Sequence, residues 1–112
     1  MKTVTISVSS MDETRQRFLA ASRGRPQGAH ISFSNVELLW KVLAPKRMAL
    51  VRALTGAGVV SIREAARRVK RDVRAVHADV TALINAGVLQ RVEGGIEFPY
   101  QAVHVDFMLQ AA

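Results

Sequence analysis

The stretch from Pro45 to Phe98 constrains the fold more than any other part of this sequence, because helix starts and stops follow one another closely within it. Pro45 suits the first turn of a helix, where its missing N–H would have had no partner. Apolar residues then recur at helical spacing until Gly56 and Gly58 interrupt the pattern. We therefore predict a first helix that begins at Pro45 and ends before Gly56.

Two further helices follow, and the sequence marks their ends. Ser61 is a good N-cap, and Glu64 three residues later completes a Ser-x-x-Glu capping box. Asp72 can cap a third helix, and Gly87 stands where a left-handed residue would end it. The apolar residues of this third helix share one arc of its surface; they are Val73, Val76, Val80, Leu83 and Ile84. His77 lies near the edge of that arc, so we expect it to be half-buried.

A tight turn and a hairpin complete the pattern. Only Lys70 and Arg71 separate the second helix from the cap of the third, which is typical of helix-turn-helix units. After the third helix, two β-prone runs flank Gly94 and Gly95, and glycine accepts the positive φ that tight hairpin turns require. Three helices followed directly by a hairpin predict a winged helix-turn-helix, with a three-helix core and a β-hairpin wing.

Positive charge is concentrated in the same window. The chain has a formal net charge of +7 and a pI near 11.1. From Lys46 to Arg74 there are nine basic residues against two acidic ones, Glu64 and Asp72. A basic patch on a helix-turn-helix predicts binding to double-stranded DNA. The residues that we predict to contact DNA are Lys46, Arg47, Arg63, Arg67, Arg68, Lys70, Arg71, Arg74, Ala75, Ala78 and Arg91.

These residues are predicted to act in different ways. Most of the basic side chains contact phosphates, which gives affinity and salt dependence. Arg71 and Arg74 flank the N-terminal end of the third helix, the recognition helix, and are expected to lie nearest the base edges. Ala75 and Ala78 are small enough to let that helix approach a groove closely. Arg91 has acidic neighbours in the hairpin, so we expect the wing to be mainly structural.

The segments on either side predict additional elements. Residues 2–8 alternate as a half-buried strand, and residues 11–22 form an amphipathic helix that Ser10 can cap. A loop at residues 23–28 is the predicted hinge between an N-terminal strand-helix extension, residues 1–29, and the winged helix of residues 30–112. The whole is therefore expected to be an α+β protein.

Two more segments lie within residues 30–112. Residues 30–33 suit a short strand, and Ser34 or Asn35 can cap a helix that contains Trp40. The alternation at residues 102–109 predicts a C-terminal strand, which needs a partner because a lone edge strand exposes an unpaired ladder. The N-terminal strand of the same chain or of a second subunit would serve. We expect the terminal segments to build a small sheet, where a dimer or protein partner is accommodated.

The composition argues against several classes of protein. The chain has no cysteine, which excludes disulfides, thiolate metal sites and cysteine nucleophiles. Its start lacks the features of a signal peptide, and no apolar run approaches the length of a membrane span. We expect a cytoplasmic protein without membrane contact. We expect no cofactor or metal either, because three scattered histidines make a poor metal site.

Catalysis is not expected. His104 and Asp106 share one face of the C-terminal strand, but they lack the third partner and the pocket that catalysis needs. His77 and Asp79 stand two positions apart on a helix and lack them as well. The chain is therefore predicted not to be an enzyme.

Several stretches of the sequence resemble known protein families. Residues 61–89 resemble the helix-turn-helix of prokaryotic transcriptional regulators of the MarR-like and DeoR-like type. Three further runs resemble a group of small prokaryotic DNA-binding proteins over most of residues 31–112; these are LWKVLAPKR (Leu39–Arg47), RDVRAVHADV (Arg71–Val80) and FPYQAVHVDF (Phe98–Phe107). The resemblance implies a homodimeric transcriptional regulator, a repressor. It also implies, for members paired with toxin-like proteins, an antitoxin that represses its own operon, with a cognate toxin as partner.

Two other interpretations remain open. A winged helix can serve as a protein–protein interaction module without specific DNA binding, with the basic face turned to an acidic partner, because fold alone does not settle function. The second open interpretation is RNA binding, although the chain lacks the aromatic stacking platform of many sequence-specific RNA binders.

Overall fold

Five helices and two sheets make up the described part of the chain, residues 2–24, 28–109 and 111 of a computed structural model. The elements are β1 (Thr3–Val8), α1 (Met11–Ser22), β2 (Ala29–Phe33), α2 (Val36–Val42), α3 (Pro45–Leu54), α4 (Ile62–Val69), α5 (Val73–Asn85), β3 (Gln90–Val92), β4 (Gly95–Glu97) and β5 (Ala102–Asp106). The predicted α+β class is confirmed. Residues 25–27 of the predicted hinge loop lie outside the described residues.

A three-stranded parallel sheet joins the two flanks of the chain. The strand order is β2-β1-β5, and β1 pairs with both neighbours in parallel. Val4 and Ile6 are buried on the face that meets the core. The C-terminal strand therefore finds its partner in the N-terminal strand of the same chain. It ends at Asp106, three residues earlier than the alternation suggested.

The helices begin where local capping predicts. The Ser61 hydroxyl accepts a hydrogen bond from the Glu64 amide, and the Asp72 carboxylate accepts from the amides of Arg74 and Ala75. Gly87 has a φ of 79°, and the next amide, of Val88, donates to the Leu83 carbonyl. This is the left-handed stop that the sequence predicted.

The hairpin is held to the helices by one more strand contact. β3 and β4 pair antiparallel, and Val60, just before α4, exchanges two backbone hydrogen bonds with Ile96 of 3.0 and 2.8 Å. A Cβ on Gly95 would lie 2.1 Å from the Val60 carbonyl oxygen. Only glycine fits there, because the backbone of residue 60 passes so close.

The core lies between α3, α4, α5 and the buried face of the three-stranded sheet. Its fully buried large side chains are Phe98, Ile6, Leu39, Leu50, Leu54, Leu83, Ile96, Val4, Val51, Val76 and Val80. One expectation for α5 is wrong. His77 is exposed, because it lies about 100° around the helix from the buried Val76. Val73 is 40% exposed, because it occupies the first turn, outside the span of buried side chains.

None of the helices in the described ranges is both long and apolar enough to cross a membrane.

Candidate nucleic-acid interface

The N-terminal half of α5 presents small and basic residues to solvent. Arg74, Ala75 and Ala78 are exposed, whereas Val76 and Val80 are fully buried on the other side. The alternation follows from the 3.6-residue period of the helix. The two alanines leave a smooth surface beside Arg74, so another molecule can approach the helix backbone closely.

The turn that leads into α5 has a fixed left-handed geometry. Lys70 has a φ of 56° and is the described non-glycine residue with positive φ. Its amide donates to the Arg67 carbonyl at 3.2 Å, and the Arg71 amide donates to the Ala66 carbonyl at 3.1 Å. These two bonds form the C-terminal stop of α4 that usually contains glycine. Lys70 is exposed in this turn, with its backbone in the left-handed region.

Asp79 on α5 holds two of the predicted DNA-contacting arginines. Arg47 Nε donates to Asp79 Oδ1 at 3.1 Å, and Arg71 Nη1 lies 2.8 Å from Asp79 Oδ2. The three side chains are 27%, 20% and 17% exposed for Arg47, Arg71 and Asp79. Arg71 thus lies against the protein instead of extending from the N-terminal end of α5, where the sequence analysis placed it nearest the bases.

Arg47 also contacts the end of α2. Its Nη1 donates to the carbonyl oxygens of Lys41 and Val42 at 3.4 Å. A cation is favourable at this position, because the C-terminal end of a helix carries partial negative charge. Arg47 and Asp79 therefore tie α2, α3 and α5 together.

The charge of Asp79 follows from these contacts. Partial burial acts to raise the pKa of the carboxyl, but hydrogen bonds from Arg47 and Arg71 and their positive charge outweigh it. The pKa of Asp79 is therefore held below its ordinary value of 3.8. Asp79 is ionised at neutral pH, and it offsets part of the positive charge of this surface.

Glu64 makes a second, more exposed ion-pair group on α4. Arg68 Nε donates to Glu64 Oε1 at 3.0 Å, and Arg67 Nε donates to Glu64 Oε2 at 2.8 Å. These bonds, that of Arg68 first, hold the pKa of Glu64 below its ordinary value. The Glu64 carboxylate thus accepts hydrogen bonds from the two arginines and not from the Ser61 amide, so only the Ser61 half of the predicted capping box is formed. The Arg67 side chain is still 79% exposed.

Several predicted contact residues are exposed and form no ion pair with any residue that the structure describes. They are Lys46, Arg63, Lys70, Arg74 and Arg91. Lys46 lines a cleft of about 480 Å³ with Lys41, Arg47 and Arg71, and Asp79 also lines it. This cleft brings four cations from α2, α3 and the turn before α5 to one place. Its charge suits a phosphate group.

The hairpin adds little positive charge. Arg91 is exposed on β3, but Glu93 stands exposed in the adjoining turn. The Gln90 amide nitrogen donates to Glu97 Oε1 at 3.1 Å across the two strands. The side chains of the hairpin thus support its own pairing more than a contact with an anion.

The geometry offers no evident site for a metal. Within residues 2–24, 28–109 and 111, no three His, Cys, Asp or Glu side chains come together as a metal would require. His104 and Asp106 are exposed on β5, away from Asp79 and the basic cleft.

Sequence reasoning missed the structural role of Asp79, although a signal was present. Asp79 lies three residues after Val76 and four before Leu83, so it shares the apolar side of α5 with them. A carboxylate on the buried side of a helix requires a cationic partner, since burial of an unpaired charge is costly. The partner on the next helix depends on the tertiary fold, and Arg47 is 32 positions away.

A family match covers the part of the chain that carries this surface. A sequence model of the HVO_A0114 family matches residues 42–105, more than half of the chain. The match runs from the end of α2 to β5 and so includes all eleven predicted contact residues. No curated protein and no solved structure matches the chain.

Proposed function

The chain belongs to the HVO_A0114 family, and we propose that it is a sequence-specific regulator of transcription that binds double-stranded DNA as a dimer. The observation that carries this proposal is the exposed N-terminal half of α5. It combines Arg74 with two exposed alanines and follows the left-handed turn at Lys70. A helix with a small, basic surface at its N-terminal end is suited to the major groove.

The arrangement of elements supports a winged helix-turn-helix as the finer description of residues 42–105. α3, the bridge at Val60, α4, α5 and the β3–β4 hairpin follow one another in the order of that fold. In this description α5 is the recognition helix and the hairpin is the wing. The three-residue turn between Val69 and Val73 is of the length found between the helices of such units.

The ion pairs divide the predicted contact residues into two groups. Arg47 and Arg71 are held by Asp79, and we assign to them the positioning of α5 against α3. Lys46, Lys70 and the two arginines paired with Glu64 supply phosphate contacts. Arg74 is assigned the base contact, because an arginine can reach guanine O6 and N7 in a bidentate pair.

Repression is the mode of regulation that we assign, because a dimer bound across a promoter excludes polymerase from the sites it covers. The resemblance to small regulators that repress their own operons supports an operator next to the gene. In that version of the proposal the protein is an antitoxin, and its toxin is the second partner.

Two binding measurements test this function. Short duplexes are first enriched by the protein from a randomised pool and from fragments that include the DNA upstream of its gene. Fluorescence anisotropy then compares the enriched duplex with a scrambled duplex over a salt series. We expect a preference of at least ~10³ for the enriched sequence and a steep loss of affinity with salt.

Single-residue variants test whether the proposed surface is the one that binds DNA. Arg74→Ala should remove most of the preference. Arg15→Ala is the matched control, since Arg15 is exposed on α1 and makes no ion pair with a described residue. Equal, weak binding to all duplexes would refute the proposal and favour a winged-helix module that binds an acidic protein.

A further inference from the structure

Strand β5 leaves one edge of the three-stranded sheet open. It is the last strand in the order β2-β1-β5, and among the described strands it pairs with β1 alone. His104, Val105 and Asp106 are exposed along it. An open edge presents backbone N–H and C=O groups to a further strand, and folded proteins normally cover or disrupt such an edge.

Apolar side chains cluster beside this edge. Trp40 of α2 is 56% exposed and packs edge-to-face on Phe107, with ring centroids 5.2 Å apart. Val105 is 38% exposed and Leu109 is 79% exposed. Exposed apolar surface that includes a tryptophan is typical of a contact with another protein. The open edge and the apolar cluster together indicate one continuous interface.

The sequence of β5 shows what covers that interface. We propose that a second copy of this chain pairs its β5 antiparallel with this one, about a two-fold axis that passes at Val105. Val105 then faces the partner's Val105, and Val103 faces the partner's Phe107. His104 faces the partner's Asp106, whose carboxylate can accept a hydrogen bond from the imidazole, so the edge is complementary to itself in both hydrogen bonding and hydrophobicity.

The neighbouring registers lack this complementarity. An axis at His104 pairs Val103 with the partner's Val105, but it places the two imidazoles opposite each other and leaves Asp106 opposite Ala102 instead of an imidazole. An axis at Asp106 places two carboxylates opposite each other, which is unfavourable across a strand pair. An axis at Val103 leaves Val105 and Asp106 without an opposite residue in β5, so the carboxylate has no imidazole across from it. The register at Val105 alone pairs apolar with apolar side chains and the carboxylate with the imidazole.

This inference rests on the proposed function, because it specifies the interface of the proposed dimer. Formation of the interface itself does not require DNA. The two three-stranded sheets would form one six-stranded sheet, in which the β5 strands of the two copies are neighbours. The oligomeric state is measured without DNA, so failure of the interface and failure of DNA binding give separate results.

The experiment uses the full chain, which has no cysteine of its own. Sedimentation equilibrium of the unmodified protein first gives its oligomeric state. Val105→Cys is then oxidised mildly, because opposite residues in antiparallel strands have Cβ atoms about 4.5–5.5 Å apart, close to disulfide range. Val103→Cys tests the register, since the two copies of residue 103 would be too far apart to bridge. Val59→Cys is an exposed valine control outside the interface.

A second measurement does not depend on cysteine. His104→Asp places carboxylates opposite each other and should weaken the dimer by about 3- to 30-fold, from two cross-strand pairs of up to ~1 kcal/mol each. The double variant His104→Asp with Asp106→His exchanges the two partners and should restore the dimer. With the axis at His104, the exchange would not restore it.

Each outcome decides the proposal. A dimer that crosslinks efficiently through residue 105 alone, and that the exchange variant restores, supports it. A monomer at all concentrations overturns it, and so does a dimer that residue 105 does not crosslink. Crosslinking through residue 103 would overturn the register.

Discussion

The Asp79 carboxylate on α5 lies 3.1 Å from the Arg47 guanidinium on α3, and the two residues are 32 positions apart in the chain. The same carboxylate is 2.8 Å from Arg71, which precedes α5. One acidic side chain therefore fixes the position of α5, whose exposed face carries the proposed function. Asp79 therefore connects the stability of the fold with the proposed binding of DNA.

Replacement of Asp79 by asparagine should destabilise the fold. Asp79→Asn keeps the size of the side chain but leaves two mostly covered arginines without a counter-charge, which should lower the free energy of unfolding by about 1–3 kcal/mol. Urea unfolding at neutral pH measures the change. Glu93→Gln, in the exposed hairpin turn, is the control. Equal stability of the two variants would contradict the role assigned to Asp79.

The effect of Asp79 on stability should depend on pH in one direction. Because its pKa in the folded protein is below the ordinary value of 3.8, the unfolded chain binds this proton more readily. The stabilisation is therefore complete above about pH 5 and is lost as the pH falls below 4 towards the folded pKa. The difference in unfolding free energy between the unmodified protein and Asp79→Asn should shrink from pH 7 to pH 3. A constant difference would show that Asp79 keeps its ordinary pKa.

Lys70 allows charge and backbone conformation to be separated. Lys70→Gly relieves the left-handed strain, so it should raise the free energy of unfolding by up to about 1 kcal/mol. If Lys70 contacts a phosphate, the same variant should reduce the slope of log affinity against log salt by about 1.8 for the proposed dimer, which is about 0.9 for each of its two copies of Lys70. Lys70→Ala should reduce the slope equally without the gain in stability. An unchanged slope in both variants would remove Lys70 from the interface.

Arg74 and Arg68 should differ in what they contribute to DNA binding. Arg74→Ala should cost about 1–3 kcal/mol in each half-site of the preferred duplex and much less on a scrambled one, because each subunit would lose its proposed base contact. Arg68→Ala should weaken binding to both duplexes alike. Anisotropy titrations at one fixed salt concentration make the comparison. Equal losses on both duplexes for Arg74→Ala would show that it contacts phosphate instead.

Gly95 should be the least replaceable residue of the hairpin. Gly95→Ala places a Cβ against the Val60 carbonyl, and we expect it to lower the free energy of unfolding by about 3 kcal/mol or more, since backbone strain and a steric clash add. Gly94 also has a positive φ, 91°, but a Cβ added there by Gly94→Ala would meet only the Val59 side chain, at 3.7 Å. It should cost about 1–2 kcal/mol. Thermal unfolding of both variants tests this order, which equal losses would contradict.

Local signals predicted the ends of the helices, and tertiary contacts account for what they missed. Ser61, Asp72 and Gly87 act through backbone groups within five residues, so their roles could be predicted from the sequence. The partnership of Arg47 with Asp79 arises only when α3 and α5 pack together. For the same reason, Arg71 was predicted as a base contact, although its side chain lies against the protein.

In the flanking strands, too, local pattern could be predicted from the sequence and tertiary pairing could not. The alternation at both flanks predicted strands, and a pairing between them was expected. The parallel direction and the central place of β1 were not predicted, because alternation specifies which residues share a face but not which strands are neighbours.

The central position of β1 has a consequence for the synthesis of the protein. Lys2, directly before β1, is hydrogen-bonded to Gln101, 99 positions later in the chain. The ribosome synthesises β1 and β2 early, and their common sheet must wait for β5, which follows all five helices in the chain. Closure of the sheet is therefore expected to be the last step, and the β5 edge becomes available to another copy only when translation of the strand is complete.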